Sequence, residues 1–180
     1  DVSVFFKEES GYTNITVITH DSPSLLSRLC GVMSINDLNI HDARIFTRND
    51  GIIIDNFNVS EFRSKGVVQT DKYEKIRKDI AAAVRNQLQI SKEFNRVKSK
   101  WWRLENRLFK FRNKINVVFE KHEKYTIIDV YSPDRMGLLY QITKKMNDLG
   151  LSIYLAKIAT QGDDVVDAFY TLDRNGNKVS

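Results

Sequence analysis

"SPDRMGLLYQITKKMNDLGLSIYLAKIAT", residues 132–160, follows the strand-like run "YTIIDVY" and leads into another apolar run. Pro133, Asp134 and Gly137 are turn and helix-start residues placed between a period of two and a period near 3.6. Strand, loop, helix, strand is the order that this spacing predicts. Earlier in the chain, "HDSPSLLSRLCGVMSINDLNIHDARIFT" at 20–47 follows the same plan.

Sliding the chain over itself by 113 positions superimposes the two stretches. Val4, Phe6, Tyr12, Thr13, Ile15 and Val17 meet identical residues at Val117, Phe119, Tyr125, Thr126, Ile128 and Val130. Asp21, Leu25, Leu26, Met33, Leu38, Ile40, Ala43, Ile45 and Thr47 do the same with Asp134, Leu138, Leu139, Met146, Leu151, Ile153, Ala156, Ile158 and Thr160. One residue of slip later, Asp55 and Phe57 meet Asp167 and Phe169. An internal repeat of this kind is a duplicated unit.

Periodicity supplies the elements of each copy. "NITVITH" alternates as a half-buried strand does. A helix is expected next, with Leu25, Leu29, Val32 and Met33 on its apolar stripe, Asp21 or Ser22 as cap and Pro23 in its first turn. In the second copy Asp134 is the expected cap, and Leu138, Leu139, Ile142, Met146 and Leu149 form the stripe. Two strands follow in each copy, "LNIHDARIFT" and "IIIDNFNVS" in the first, joined by Asn49-Asp50-Gly51. A second helix between Asp71 and Gln87, with Tyr73, Ile76, Ile80, Ala83 and Val84 inward, completes the first copy except for one strand. Either "SVFFKEE" or "NVVFEKH" fills that place.

The resulting fold class is α+β, two ferredoxin-like βαββαβ units, the second truncated before its last helix. The first unit spans 1–90, a basic aromatic linker 91–114, and the incomplete second unit 115–180. One sheet face of the second unit is expected to need cover from a partner chain, a swapped element or the linker. Asp1 in place of Met points to an excised or processed piece of a longer parent.

Composition narrows the function classes. Hydrophobic residues make up 42% of the 180 positions, enough for a core, and no apolar run approaches the length of a membrane helix. A lone Cys30 on an apolar helical face excludes a disulfide framework and favours a reducing compartment, here the cytoplasm. The net charge of +5 is uneven: 91–114 holds nine Lys and Arg against Glu93 and Glu105, and the remainder is slightly acidic.

The turn at Asp134-Arg135-Met136-Gly137 presents backbone N–H groups at a helix N-terminus, a place that suits a small anion such as an amino-acid carboxylate. Gly137 permits close approach. Asp134 serves either as an N-cap or as acceptor for a ligand ammonium. Asp55 and Asp167 occupy equivalent strand positions and read as edge or solvent-facing carboxylates balancing Arg44 or Lys157, in preference to ligand contacts.

The series "DRMGLL…LGLSI…AKIAT…VVDAFY" resembles ACT domains, small βαββαβ modules that bind amino acids where paired domains meet. The two copies in this order closely resemble the tandem C-terminal ACT domains of the bifunctional PII uridylyltransferase/uridylyl-removing enzymes, over nearly the whole chain. The resemblance implies a regulatory part that senses glutamine in nitrogen signalling, not a catalyst. Its implied partners are the amino acid, the catalytic domains of the parent and the PII protein, with a possible homodimer through the ACT sheets and no membrane. No cofactor is implied here, and Mg is implied for the parent. Carried across, the ligand loop comprises Asp134, Arg135, Met136, Gly137 and Leu138, with Asp21, Ser22 and Ser24 in the first copy. The facing strands contribute Asn39, Ile40 and His41, or Ser152, Ile153 and Tyr154. Ser22 and Ser24 depart from the Arg and Gly of the pattern, which favours the second loop.

Other chemistry finds little support. His20-Asp21 and His41-Asp42 suggest a metal phosphohydrolase, but one pair ends a strand and the other lies within one, so their side chains diverge. No phosphate-binding Gly-rich loop or nucleophile elbow is present. The linker interleaves Phe94, Trp101, Trp102, Phe109 and Phe111 with cations, which suits either a nucleic-acid grip in a two-ACT transcriptional regulator or an amphipathic connector packed on the sheets.

Overall fold

The computed structural model describes residues 1–108, 115–161 and 164–179, with side chains omitted at 102–108, 160, 161 and 164. The first copy runs β1 (Val2–Glu8), β2 (Thr13–His20), α1 (Leu25–Ile35), β3 (Leu38–Phe46), β4 (Ile52–Glu61), a 3₁₀ turn (Thr70–Lys72) and α2 (Tyr73–Val84). Helix α3 (Ile90–Leu108) leads on to β5 (Asn116–Lys121), β6 (Thr126–Pro133), α4 (Leu138–Asp148), β7 (Ser152–Gln161) and β8 (Asp164–Leu172).

All eight strands form one antiparallel sheet in the order β1-β2-β4-β3-β7-β8-β6-β5. The strand left open by the repeat is resolved by pairing: Val4 faces Val17 across β1–β2, and Val117 faces Val130 across β5–β6. Each copy thus takes its outer strand from its own N-terminal side. The two copies join through β3 and β7, where Ala43 faces Ile158 and Ile45 faces Ala156 within one chain.

Alternation decides which face is covered. Ile15, Val17, Phe57, Val59, Ala156 and Phe169 are each 0% exposed and lie beneath the helices. On the open face, Asn14 donates to Asn58 (2.7 Å) and Thr16 to Asn56 (2.7 Å), a polar ladder suited to solvent. Cys30 lies in the core, fully buried.

Several expectations need correcting. The residue preceding α1 is Ser24 and that preceding α4 is Gly137, both in left-handed backbone and neither making a side-chain cap, so Asp21, Ser22 and Asp134 do not cap. Pro23 lies in the turn before α1 rather than in its first turn. Leu149 falls just past α4 and is 65% exposed instead of joining the stripe. Asp55 and Asp167 are 2% and 1% exposed, not solvent-facing. The physical reason is phase: they share a face with Phe57 and Phe169, whereas Arg44 and Lys157 point to the open face and oppose each other across β3–β7.

The second unit's sheet is only partly covered. In the first copy α2 lies over β1, with Tyr73 stacked on Phe6 at 4.2 Å between ring centroids. The equivalent Phe119 is 66% exposed. The described side chains of α3 reach Gly137 and Tyr140 but leave β5 exposed.

Candidate functional site

Because β3 and β7 pair around a pseudo-twofold, the loop that opens the first long helix of one copy faces the start of the joining strand of the other. Two equivalent clefts result. The first, of about 600 Å³, brings Asp21, Ser22 and Ser24 together with Ser152, Ile153 and Tyr154. Asp55 lines its floor, and Asn147, Gly150 and Arg174 lie on the second copy's side. The second cleft brings Asp134, Arg135, Gly137 and Leu138 together with Asn39 and Ile40, with Asp167 against it, and holds only about 20 Å³.

His41 and Met136 line neither cleft. His41 hydrogen-bonds Ser60 Oγ through Nε2 at 2.7 Å, and Met136 is buried at 4% exposure. The open cleft is therefore at the first loop, although the sequence pattern favours the second. Ser24 carries the left-handed turn with φ 61°, which lets a non-glycine loop follow the same path as Gly137 at φ 74°.

Arg28 builds the first loop. Its guanidinium donates to Ser22 Oγ (2.6 Å), to the Pro23 carbonyl (3.0 Å) and to the Ala83 carbonyl (2.8 Å), tying the turn to α2. Asp21 Oδ1 accepts from the Ser22 amide at 2.8 Å. Asn147 donates to Ser27 Oγ at 3.0 Å and so joins α4 to α1 beside the cleft. In the second cleft Asn39 Nδ2 donates to Asp134 Oδ2 at 3.2 Å, a direct bond between the copies.

Electrostatics repeats with the fold. Burial pushes Asp55 up to about 7, helped by the charge of Asp21 and opposed by a hydrogen bond from the Phe46 amide. Asp167 is also pushed up to about 7 by burial, opposed by the Ala159 amide and helped by Asp134. Each cleft thus pairs a loop aspartate with a deeper carboxyl held near neutrality. Cys30, buried beneath both, has its thiol pushed well up by burial and then by Asp55 and Asp167, which makes it a poor nucleophile.

Such a cleft can hold a small zwitterion. Asp55 and Asp21 offer acceptors to an ammonium, while Arg174 at the rim and amide groups of Asn147 and the loop offer donors to a carboxylate. Among the described residues no three His, Cys, Asp or Glu side chains converge as a metal site, and no helix is long and apolar enough to cross a membrane.

Sequence reasoning missed Arg28, Asn147 and Arg174, and ranked the cleft-facing role of Asp55 and Asp167 second. The last was readable: "IDNF" and "VDAF" place each Asp two residues before a core Phe, on the same face.

Residues 121–180 match the ACR family N-terminal ACT domain. The bifunctional uridylyltransferase/uridylyl-removing enzyme of Rhodopseudomonas palustris is 29% identical over 99% of this chain and 19% of its own length. That of Azospirillum brasilense is 32% identical over 93% of this chain and 18% of its own. Aspartate kinase from Synechocystis superimposes with a TM-score of 0.46 at 14% identity, over 92% of this chain and 25% of that one. The chain therefore spans about a fifth of the length of the relatives it matches. Residues 121–180 thus match an ACT-domain family, and the chain is homologous, along nearly its whole length, to a segment of the bifunctional uridylyltransferase/uridylyl-removing enzymes.

Proposed function

We propose that this chain is the amino-acid-sensing regulatory region of a PII uridylyltransferase/uridylyl-removing enzyme, that its ligand is glutamine, and that the first cleft is its principal site. The observation that supports this most is the cleft of about 600 Å³ between loop 21–24 of one copy and strand start 152–154 of the other, in a chain homologous to those enzymes. A ligand bridging the copies favours one arrangement by the difference in its affinity for the two, and the catalytic domains of the parent read that arrangement. Uridylyl transfer, its removal, the Mg it uses and the PII partner belong to the parent. Residues 1–180 alone bind and do not catalyse.

Calorimetric titration with glutamine, against glutamate, glycine and serine, tests this reading. Selective glutamine binding, weakened by Ser152→Trp in the first cleft, is the expected result. No binding by any of the four, or uridylyl transfer by 1–180 alone, overturns it.

The alternative of a nucleic-acid grip by the linker loses two of its aromatics. Phe94 and Trp101 are 4% and 2% exposed, packed edge to face at 5.7 Å between centroids, and not available to stack on bases. Trp102, Phe109 and Phe111 have side chains outside the described residues.

A further inference from the structure

The two clefts are made of equivalent elements, yet one is open and the other almost filled. Helix α3 packs against Gly137, at the edge of the filled one. Phe94 Cε2 and Cζ stand 2.6 and 2.8 Å from where a Cβ on Gly137 would lie, and Trp101 Cζ3 stands 3.4 Å from it. Trp101 is fixed in turn by donating its Nε1–H to Asp37 Oδ1 at 2.8 Å, next to strand β3. At Ser24, the equivalent of Gly137, the residue is exposed to solvent.

The filled cleft is chemically unfinished. Asp167 Oδ1 and Arg135 Nε both belong to residues that border it, both are buried, and neither has a hydrogen-bond partner among the described residues. Asp167 is 1% exposed. A buried acceptor and a buried donor left unmatched at one cleft are a standing cost of the closed state. An α-amino acid supplies both missing partners, its ammonium for the carboxyl and its carboxylate for the guanidinium. Space for about one water molecule does not admit it.

We propose that the second cleft is an occluded zwitterion site, closed by Phe94 and Trp101 of α3, and that an amino acid occupying it against Arg135 and Asp167 displaces α3 from Gly137. This rests on the reading of the clefts as amino-acid sites. Occupancy of the first cleft needs no such movement, so the second fills at higher concentration, its apparent affinity lowered by the small fraction of time the helix stands away. Since α3 connects the two copies along the chain, its displacement is the signal that the second binding event sends.

The test uses residues 1–180 and glutamine as probe. At moderate concentration the natural chain takes up one equivalent, and Phe94→Ala takes up two. Phe94→Ala combined with Asp167→Asn returns to one. Circular dichroism checks that each variant is folded. A second measurement does not depend on Phe94→Ala folding: with Trp102→Phe, Trp101 is the remaining tryptophan of the two in the chain, and its emission shifts to the red at saturating glutamine. A folded Phe94→Ala that still takes one equivalent, a second equivalent indifferent to Asp167→Asn, or Trp101 emission unchanged at saturation overturns the occluded site while leaving the sensor reading intact. No uptake by either the natural chain or Phe94→Ala removes both.

Discussion

Ser24 and Gly137 occupy the same left-handed turn, φ 61° and 74°, at equivalent points of the two copies. A Cβ in this region costs roughly 1–2 kcal/mol, which Gly137 avoids and Ser24 bears. Its hydroxyl makes no cap bond in return. Ser24→Gly is therefore expected to stabilise the fold by about 0.5–1 kcal/mol after the greater chain entropy of glycine is counted. Gly137→Ala goes the other way by more than about 1 kcal/mol, since it adds the same strain and drives a methyl group into the Phe94 ring. Urea unfolding midpoints at constant slope check both; a destabilised Ser24→Gly would show that the hydroxyl matters more than the backbone.

Asp55 and Asp167 give stability an unusual dependence on pH. Each has a folded value of about 7, above its ordinary value of 3.8. Between those limits the folded state holds a proton that the unfolded chain has released, so stability falls as pH rises, by up to about 1.4 kcal/mol per unit for each group. Above about 7 the loss is complete. Glu61, lowered by Lys72 and the Gln69 amide despite its burial, works in the opposite sense at low pH. Asp55→Asn and Asp167→Asn isolate the effect: stability of each variant relative to the natural chain should increase from pH 5 to 7 and level off beyond 8. A difference constant with pH would mean that neither carboxyl is held protonated by the fold.

How much of this was legible beforehand follows from which forces are local. The repeat exposed the equivalence of Val17 with Val130 and of Phe57 with Phe169, and alternation then placed those residues in the core. Alternation applied to Asp55 also puts it inside, against the strong preference of a carboxylate for solvent. The start of α1 is not legible because a serine in left-handed backbone gives no signal of its own, unlike a glycine. Which strand flanks β2 is a choice between a local hairpin with β1 and a long-range pairing with β5, and both runs have the required composition; only the register of Val4 with Val17 and Val117 with Val130 separates them. The aromatics of α3 announced burial, yet nothing in their spacing names Gly137 as the surface they cover.

Phe6 and Phe119, matched in the repeat, should respond very differently to truncation. Phe6 stacks on Tyr73 at 4.2 Å, and Arg77 sits over the same ring at 5.2 Å from its centroid. Phe119 is 66% exposed. Phe6→Ala is expected to cost about 2–3 kcal/mol through lost packing and lost aromatic contact. Phe119→Ala should stay within about 0.5 kcal/mol. Thermal or urea unfolding of the two variants decides, and a comparable loss at Phe119 would mean that its face is covered in solution, with a dependence on protein concentration if a second copy covers it.

Glutamine binding at the first cleft should move protons, and the direction reports which end of the ligand Asp55 meets. With a pKa of about 7, Asp55 is largely protonated at pH 6 in the free protein. An ammonium placed against it favours the ionised form, so binding at pH 6 releases a proton and affinity rises with pH, by at most tenfold per unit, until about pH 7 to 8. Above that range this carboxyl is already ionised and the slope vanishes. If Asp55 instead donates its proton to the carbonyl of the ligand side chain, the sign reverses: binding near pH 7.5 takes a proton up and affinity falls as pH rises. Calorimetry at pH 6 and 7.5 in two buffers of different ionisation enthalpy measures the number of protons directly. Release at pH 6 that disappears in Asp55→Asn supports the ammonium contact. Uptake assigns Asp55 to the side chain, and no exchange at either pH places the ligand away from Asp55 altogether.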